Sequence, residues 1–426
     1  MKRIYLDYAA ATPVSRGVVH AMIDTIKNFS GNPSAIHQEG TKARVVLETA
    51  RENIAKILVA YPNEIIFTSG ATEANNLALH GVVKQWIGGN RKPTTYKSQP
   101  TTCPRIIISA IEHSSVVETA RALEQEGIIM VDEIEVNSCG LIDPLMLRKL
   151  IKPETIVVSI MYANNEIGTI QPIHDIAKEV RHARKINKSI YPYFHTDAAQ
   201  AANFLNLNVA QLGVDLMTLS SGKSYGPRGI GVLFVKRGIN ISPLIYGGGQ
   251  ENGIRSGTES PALATGFSVA LKEAQTIKKK ELVRIKKLRD LLATGILKKI
   301  IGVTINGDTE FNLQPITYNV QANYRSLPNI LNISIDGVET DALVLYLDAT
   351  GVAVSGQSAC KSLDKSFEKN VSHGIIKISE KLKVKSEKLK DMGIIRFSLG
   401  RETTRDHIKK VIIELTRIVE LLRKIF

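Results

Sequence analysis

The sequence predicts an α/β fold: a large unit with a mostly parallel sheet flanked by helices, joined to a smaller α+β unit. Three observations carry this. Short β-branched runs alternate with helical patterns through the middle of the chain. After about Pro261 the pattern changes to a long basic amphipathic helix followed by separated strands. Finally, 426 residues exceed what one ordinary core holds. The expected division is 16–261 for the large unit, with 1–15 and 262–426 forming the small one.

In chain order, the expected strands of the large unit are Glu64–Thr68, Arg105–Ser109, Thr155–Ile160, Tyr193–Thr196, Asp215–Leu219 and Gly231–Val235. Each is a short run rich in Ile, Val, Phe or Thr, as strands buried on both faces require. Several end in polar residues, where open α/β sheets place ligands. A helix through Leu271–Leu292 opens the second unit, with strands near Ile330–Ile335 and Ile394–Ser398. The closing helix carries Ile408, Val411, Ile412, Leu415, Val419, Leu422 and Phe426 at helical spacing, with Thr403 or Thr404 as its cap. Residues 88–104 and 307–328 read as loops rich in Gly, Pro, Asn and Thr.

Composition narrows the class. Hydrophobic residues at 43% and charged residues at 23% fit a globular protein, and no apolar run is long enough for a membrane span. The N-terminus meets Asp7 before an apolar run forms, so no secretory signal is expected. Cys103, Cys139 and Cys360 are too few and scattered for a disulfide framework or a metal site, and they fit a reducing cytoplasm. The net charge of +14 raises the question of nucleic acid. The bases are spread along amphipathic helices and form no Arg-rich or aromatic-interleaved motif, so nucleic acid is not the expected partner. An acidic protein is compatible with that charge.

Three motifs carry chemistry. Thr68-Ser69-Gly70-Ala71-Thr72-Glu73-Ala74-Asn75-Asn76 follows a strand and opens a helix, where free backbone N–H groups and the helix dipole hold phosphate. His195-Thr196-Asp197-Ala198-Ala199-Gln200 ends a strand in a carboxylate, which needs a cation if it is buried. A protonated pyridine nitrogen is such a cation. Ser220-Ser221-Gly222-Lys223-Ser224-Tyr225-Gly226 holds a lysine in a tight turn, where a desolvated amine forms a Schiff base with an aldehyde. Singly, these read as an ordinary strand–helix turn, a helix cap and a surface lysine. In this order, each at a strand end, they make a phosphate cradle, a ring-nitrogen partner and a carbonyl-capturing amine, the set that pyridoxal 5'-phosphate (PLP) requires.

On these motifs the chain resembles the cysteine desulfurase family, fold-type I PLP-dependent enzymes of the class V aminotransferase group. The likeness runs from Tyr5-Leu6-Asp7-Tyr8-Ala9-Ala10-Ala11-Thr12-Pro13 to Ile395-Arg396-Phe397-Ser398-Leu399-Gly400-Arg401. It includes Gly31-Asn32-Pro33-Ser34, Asn164-Asn165-Glu166-Ile167-Gly168, Arg255-Ser256-Gly257-Thr258 and Ser355-Gly356-Gln357-Ser358-Ala359-Cys360. The resemblance implies that Lys223 carries PLP and then acts as general base, and that Asp197 pairs with the pyridine nitrogen. It further implies that Asn165 and Gln200 contact the phenolic oxygen and that His113 stacks on the ring and relays protons. Ala71, Thr72 and Ser220 would hold the phosphate, with Thr258 reaching it from the other subunit of a homodimer. Arg396 would grip the substrate carboxylate, and Asn32 would help orient the substrate.

Cys360, on a loop at about 355–370, would attack the sulfur of L-cysteine, leaving a persulfide and releasing L-alanine. Its neighbours are small and polar with Lys361 adjacent, which suits a reactive thiol more than a packed one. The sulfur would pass to an iron–sulfur scaffold or a tRNA-thiolation enzyme, with any cluster ligation by Cys360 only transient. An aminotransferase or a selenocysteine lyase of the same class is the alternative. Two departures stand out. The family commonly has His before the lysine, where this chain has Gly222, with Ser221 as candidate replacement for the lost phosphate contact. Residues 361–391 carry nine lysines against five acids.

Overall fold

The computed structural model describes residues 3–90, 103–307, 325–356 and 392–425. The chain runs β1 (Ile4–Tyr5), α1 (Arg16–Asn28), α2 (Gln38–Leu58), β2 (Ile65–Thr68), α3 (Ala71–Asn90), β3 (Arg105–Ser109), α4 (Ser114–Gln125), β4 (Met130–Ile134) and α5 (Pro144–Leu150). It continues through β5 (Thr155–Ser159), α6 (Ile173–Asn187), β6 (Tyr193–Asp197), α7 (Val209–Leu212), β7 (Leu216–Ser220), β8 (Gly231–Val235) and α8 (Pro261–Lys299). It ends with β9 (Val303–Ile305), β10 (Ile330–Asp336), α9 (Thr340–Ala349), β11 (Val352–Ala353), β12 (Met392–Ser398) and α10 (Arg405–Ile425).

Seven strands form the main sheet in the order β2-β8-β7-β6-β5-β3-β4. Only β8 runs antiparallel to its neighbours, so the expected mostly parallel sheet is what forms. Its strands alternate between two apolar layers. Ile107, Val158, Phe194, Met217 and Phe234 join Ile54 of α2, Ile176 of α6 and Phe267 of α8 in one core. Ile106, Ile108, Val157, Leu216 and Leu233 join Leu77 and Val82 of α3 and Val116 of α4 in the other. Burial on both faces explains why these strands read as unbroken apolar runs. Because β4 lies outside β3 while β5 returns inside it, the order reverses between β3 and β5. That reversal opens a crevice at the carboxyl ends of the strands.

A second, three-stranded sheet has the order β12-β10-β9, antiparallel throughout. It packs with Ile285, Leu292 and Ile296 of α8, Leu343 of α9 and Ile408, Leu415 and Leu422 of α10 in a separate core. β1 pairs with β11, and Asp7 bridges Ser398, which brings the chain's first residues to this sheet.

Several sequence expectations need correction. Residues 88–90 are the last turn of α3 and not loop, and the rest of that expected loop through residue 102, with 308–324, lies outside the described residues. The helix expected at Leu271–Leu292 runs from Pro261 to Lys299, its start capped by the Ser260 hydroxyl. Of the two caps expected for the closing helix, Thr404 is the one that serves, accepting from His407 N at 3.2 Å. Met130–Ile134 was absent from the expected strands because Asp132 and Glu133 break its apolar run at the sheet edge. Among the described residues no helix is long and apolar enough to cross a membrane.

Two fixed points set the site's frame. Gly231 pairs with Thr68 on one side and Ser220 on the other. A Cβ there would stand 2.7 Å from the Gly70 carbonyl carbon and 2.8 Å from Leu219 O, so only glycine lets these backbones approach. Behind the site, His195 is fully buried between Ser159 Oγ (2.8 Å) and Thr218 Oγ1 (3.1 Å). Burial pushes its pKa down to about 4, against the opposing pull of Asp197.

Gly231→Ala should destabilise the protein by about 1–3 kcal/mol in denaturant unfolding, the cost of overpacking a closed contact. Because His195 stays neutral in the fold until about pH 4 while the unfolded chain protonates near 6.5, the unfolded state binds the extra proton between these values. Stability should therefore fall as pH drops from 6.5 to 4, and His195→Gln should remove one proton from that slope in pH-dependent unfolding.

Candidate active site

The carboxyl ends of β2, β3, β6 and β7 converge on the crevice. The β2–β8–β7 register, closed by Gly231, sets the start of α3 beside Ser220. Ala71 is half-buried and Thr72 exposed in the first turn of α3. Glu73 fastens this turn. It accepts from Ser69 N at 2.7 Å and from Arg255 Nε at 2.8 Å. Burial opposes its ionisation, but the hydrogen bonds from Arg255 and Ser69 outweigh it and hold the carboxyl below its ordinary range. The N-terminal backbone of α3 is thus a rigid anion cradle next to a serine.

Asp197 ends β6 and is 5% exposed. Its Oδ1 accepts from Ala199 N at 2.9 Å and its Oδ2 from Asn75 Nδ2 at 2.7 Å. Among the described residues no cation pairs with it. A buried carboxylate held only by amide donors leaves its charge uncompensated, which suits a cationic ring nitrogen placed against it.

Lys223 lies in a single 3-10 turn, Ser221–Lys223, directly after β7. Its amine donates to Ala9 O (2.9 Å) and Ala10 O (2.6 Å), and Gln200 Nε2 donates to the same Ala9 oxygen at 3.0 Å. Lys223 and Gln200 are thereby brought together on the N-terminal segment. Thr12 ties that segment down: its hydroxyl donates to Gly222 O (3.0 Å) and accepts from Tyr225 N (2.8 Å). Tyr225 holds a left-handed φ of 63°, and its hydroxyl accepts from Arg401 N at 2.8 Å. Asn203 Nδ2 donates to the Lys223 carbonyl at 2.7 Å.

His113 caps α4 and is half-buried. Its Nδ1 lies 2.8 Å from Ser115 Oγ, which accepts from Asn75 Nδ2 at 2.8 Å. His113 and Asp197 are therefore linked through two intervening side chains. Beside them Glu112 accepts from Ser109 Oγ and, at 2.7 Å, from Met161 N, while its other oxygen is buried without a partner. Burial pushes its pKa up to about 8, against those two hydrogen bonds, and the nearby Asp197 adds to the rise.

Arg396, on β12, is 3% exposed. Its Nη2 pairs with Asp7 Oδ1 at 2.7 Å, its Nη1 donates to the Asn165 carbonyl at 2.9 Å, and its Nε is buried without a partner. Ser355 bridges Arg396 backbone to backbone, and Gly356, the last described residue on this side, follows directly, next to Thr340 and Val344. Cys360 follows four residues later and lies outside the described residues, as do 361–391.

Asn32 and Thr258 are exposed, and among the described residues neither bonds to the rest of the set. Ser221, the proposed stand-in for the missing histidine, is fully buried. Its hydroxyl lies 2.1 Å from where a Cβ on Gly226 would fall, so it faces into the turn. A Cβ on Gly222 would meet only Arg228 Cγ, at 3.5 Å. Sequence reasoning missed Asn75, Ser115, Asn203, Thr12 and Asp7 as supports of the site. Asn75 and Asp7 stood inside quoted motifs, but nothing local marks Ser115 or Asn203.

The residues present fit PLP: an anion cradle at α3, a buried uncompensated carboxylate at the end of β6, and after both in sequence the Lys223 amine in the turn that follows β7. The chain matches the class V aminotransferase family over residues 4–411. It is 40% identical over 426 residues to a cysteine desulfurase IscS of Dictyoglomus turgidum, covering 100% of this chain and 97% of that relative. It is 38% identical over 431 residues to the mitochondrial cysteine desulfurase of Saccharomyces cerevisiae, covering 99% of this chain and 76% of the relative. Among solved structures, a NifS-like protein superposes with a TM-score of 0.82 at 30% identity, covering 98% of this chain and all of that one. A protein described as SspA in complex with cysteine gives a TM-score of 0.69 at 30% identity, over 93% and 98% of the two chains. The class V aminotransferase and cysteine desulfurase family is PLP-dependent. Spanned almost end to end by such matches, the chain belongs to the class V aminotransferase family and, within it, to the cysteine desulfurases.

Proposed function

We propose that this cysteine desulfurase uses PLP held by Lys223 to move sulfur from L-cysteine onto Cys360, releasing L-alanine. The observation that carries the cofactor reading is the buried Asp197 carboxylate, held by Asn75 and Ala199 with no cation against it among the described residues. When bound, PLP binds the amino group of the substrate and draws off electron density from its Cα.

The chain's own groups do the rest. The start of α3 at Ala71 and Thr72, with Ser220, holds the phosphate. Asp197 would keep the ring nitrogen protonated, Gln200 and Asn165 would contact the phenolic oxygen, and His113 would stack on the ring. Arg396 binds the substrate carboxylate with its charged fork, exchanging its present partner Asp7 for the ligand. Asn32 orients the substrate. Lys223, which would hold the cofactor, would also serve as the general base that takes the proton from the substrate Cα. The Cys360 thiolate attacks the substrate sulfur. An S–S bond forms, the Cβ–S bond breaks with its electron pair left on carbon, and protonation of that carbon gives alanine.

Thr258, exposed beside Arg255, would complete the phosphate site of a second copy in a homodimer. Residues 16–261 would act as the cofactor-binding unit, and 1–15 with 262–426 as the unit that brings Arg396 and Cys360. The persulfide would pass to an iron–sulfur scaffold or a tRNA-thiolation enzyme in the cytoplasm.

Purified protein should be yellow and should make alanine from L-cysteine. Lys223→Ala should lose the chromophore and about 1,000-fold of the rate, on the scale of a lost acid–base group. Cys360→Ala should keep the colour yet release no sulfide above background under reductant; full sulfide release by that variant would overturn the persulfide step. Arg396→Ala should raise KM for L-cysteine roughly 10- to 100-fold, the worth of a charged hydrogen-bonded grip, as read from initial rates of alanine formation.

A further inference from the structure

We propose that Asn75 is a positioning residue which, acting through Ser115, holds His113 as its Nε2–H tautomer and ties that ring to Asp197. Its catalytic meaning rests on the desulfurase reading; the tautomer itself does not.

Asn75 is fully buried on α3, and both hydrogens of its amide are spent. One goes to Asp197 Oδ2 at 2.7 Å and the other to Ser115 Oγ at 2.8 Å. Its own Oδ1 is buried with no partner. Turning the amide over would set that oxygen against the Asp197 carboxylate, acceptor to acceptor. The charge on Asp197 therefore decides which way Asn75 faces, even though one oxygen is left unsatisfied.

The direction then propagates. Ser115 Oγ accepts from Asn75, so its single proton remains to be placed, and His113 Nδ1 lies 2.8 Å away. Ser115 N also donates to Nδ1, at 3.1 Å. A ring nitrogen that receives two donors carries no proton of its own, so the proton of the neutral imidazole sits on Nε2. The series Asp197, Asn75, Ser115, His113 thus has one sense throughout. It makes Nε2 the nitrogen from which His113 gives up a proton, and it transmits the charge of Asp197 to that choice.

The test uses cofactor-free protein labelled with 15N-histidine, with long-range proton–nitrogen spectra recorded at pH 8. Wild type and Ser115→Thr, which keeps the hydroxyl, should both show His113 as the neutral Nε2–H form. Asn75→Asp turns the group facing Ser115 into an acceptor, and Ser115→Ala deletes the donor. Each should move the tautomer ratio about fivefold toward Nδ1–H, the scale of one net hydrogen bond. A wild-type ring protonated on Nδ1, or a ratio unmoved by both variants, would overturn the proposal. In loaded enzyme Asn75→Asp should lower kcat with KM for L-cysteine little changed; a raised KM at unchanged kcat would also count against it. Because the spectra need neither PLP nor cysteine, a lack of desulfurase turnover would sink the functional reading and leave the tautomer assignment standing.

Discussion

The pocket depends on one electrostatic constraint: a carboxylate at the end of β6 is taken out of water and given amide donors in place of a cation. An ionised Asp197 under these conditions is tolerable only if something positive completes its surroundings. Around that demand the other parts fall into order. Glu112, the next carboxyl in the same interior, is pushed up to about 8 by burial, with the neighbouring Asp197 adding to the rise. His195, directly behind, is held neutral by burial between two hydroxyls.

The second requirement is mechanical. The anion cradle and the lysine turn come from β2 and β7, which are not neighbours in the sheet. They meet across β8, and Gly231 lets the Gly70 backbone approach closely enough for the helix start to stand beside Ser220. Arg255 and Glu73 hold the cradle from outside. Arg51 and Glu251 pair in the interior at 2.7 Å, with Phe67 N donating to the same Glu251 oxygen, and fasten the following segment to β2. The cradle is therefore rigid before any ligand arrives, the condition under which backbone N–H groups bind phosphate at little cost in order.

Much of this was legible in the amino-acid sequence because strands buried on both faces leave unbroken runs such as Arg105–Ser109 and Gly231–Val235, and because ligand-bearing residues sit directly after them. Asp197 and Lys223 could be picked out for that reason. Other features were not legible. Met130–Ile134 is an edge strand whose Asp132 pairs with Arg105 of its neighbour, a contact that no local pattern announces. Asn75 and Ser115 act through partners 122 and 40 residues away, and their role exists only once α3, α4 and β6 are packed together. Ser221 shows the opposite failure, a plausible side chain whose local turn points it inward.

The Asp7–Arg396 pair has a consequence for how the pocket comes into being. These residues are separated by 389 positions, and Arg396 reaches the crevice on the last strand of the second sheet. A partly synthesised polypeptide could fold the seven-stranded sheet with its cradle and lysine turn, yet it would possess no guanidinium to receive a carboxylate. On the proposed role of Arg396, binding of an amino acid therefore waits on closure of this long-range contact and not on the seven-stranded sheet alone.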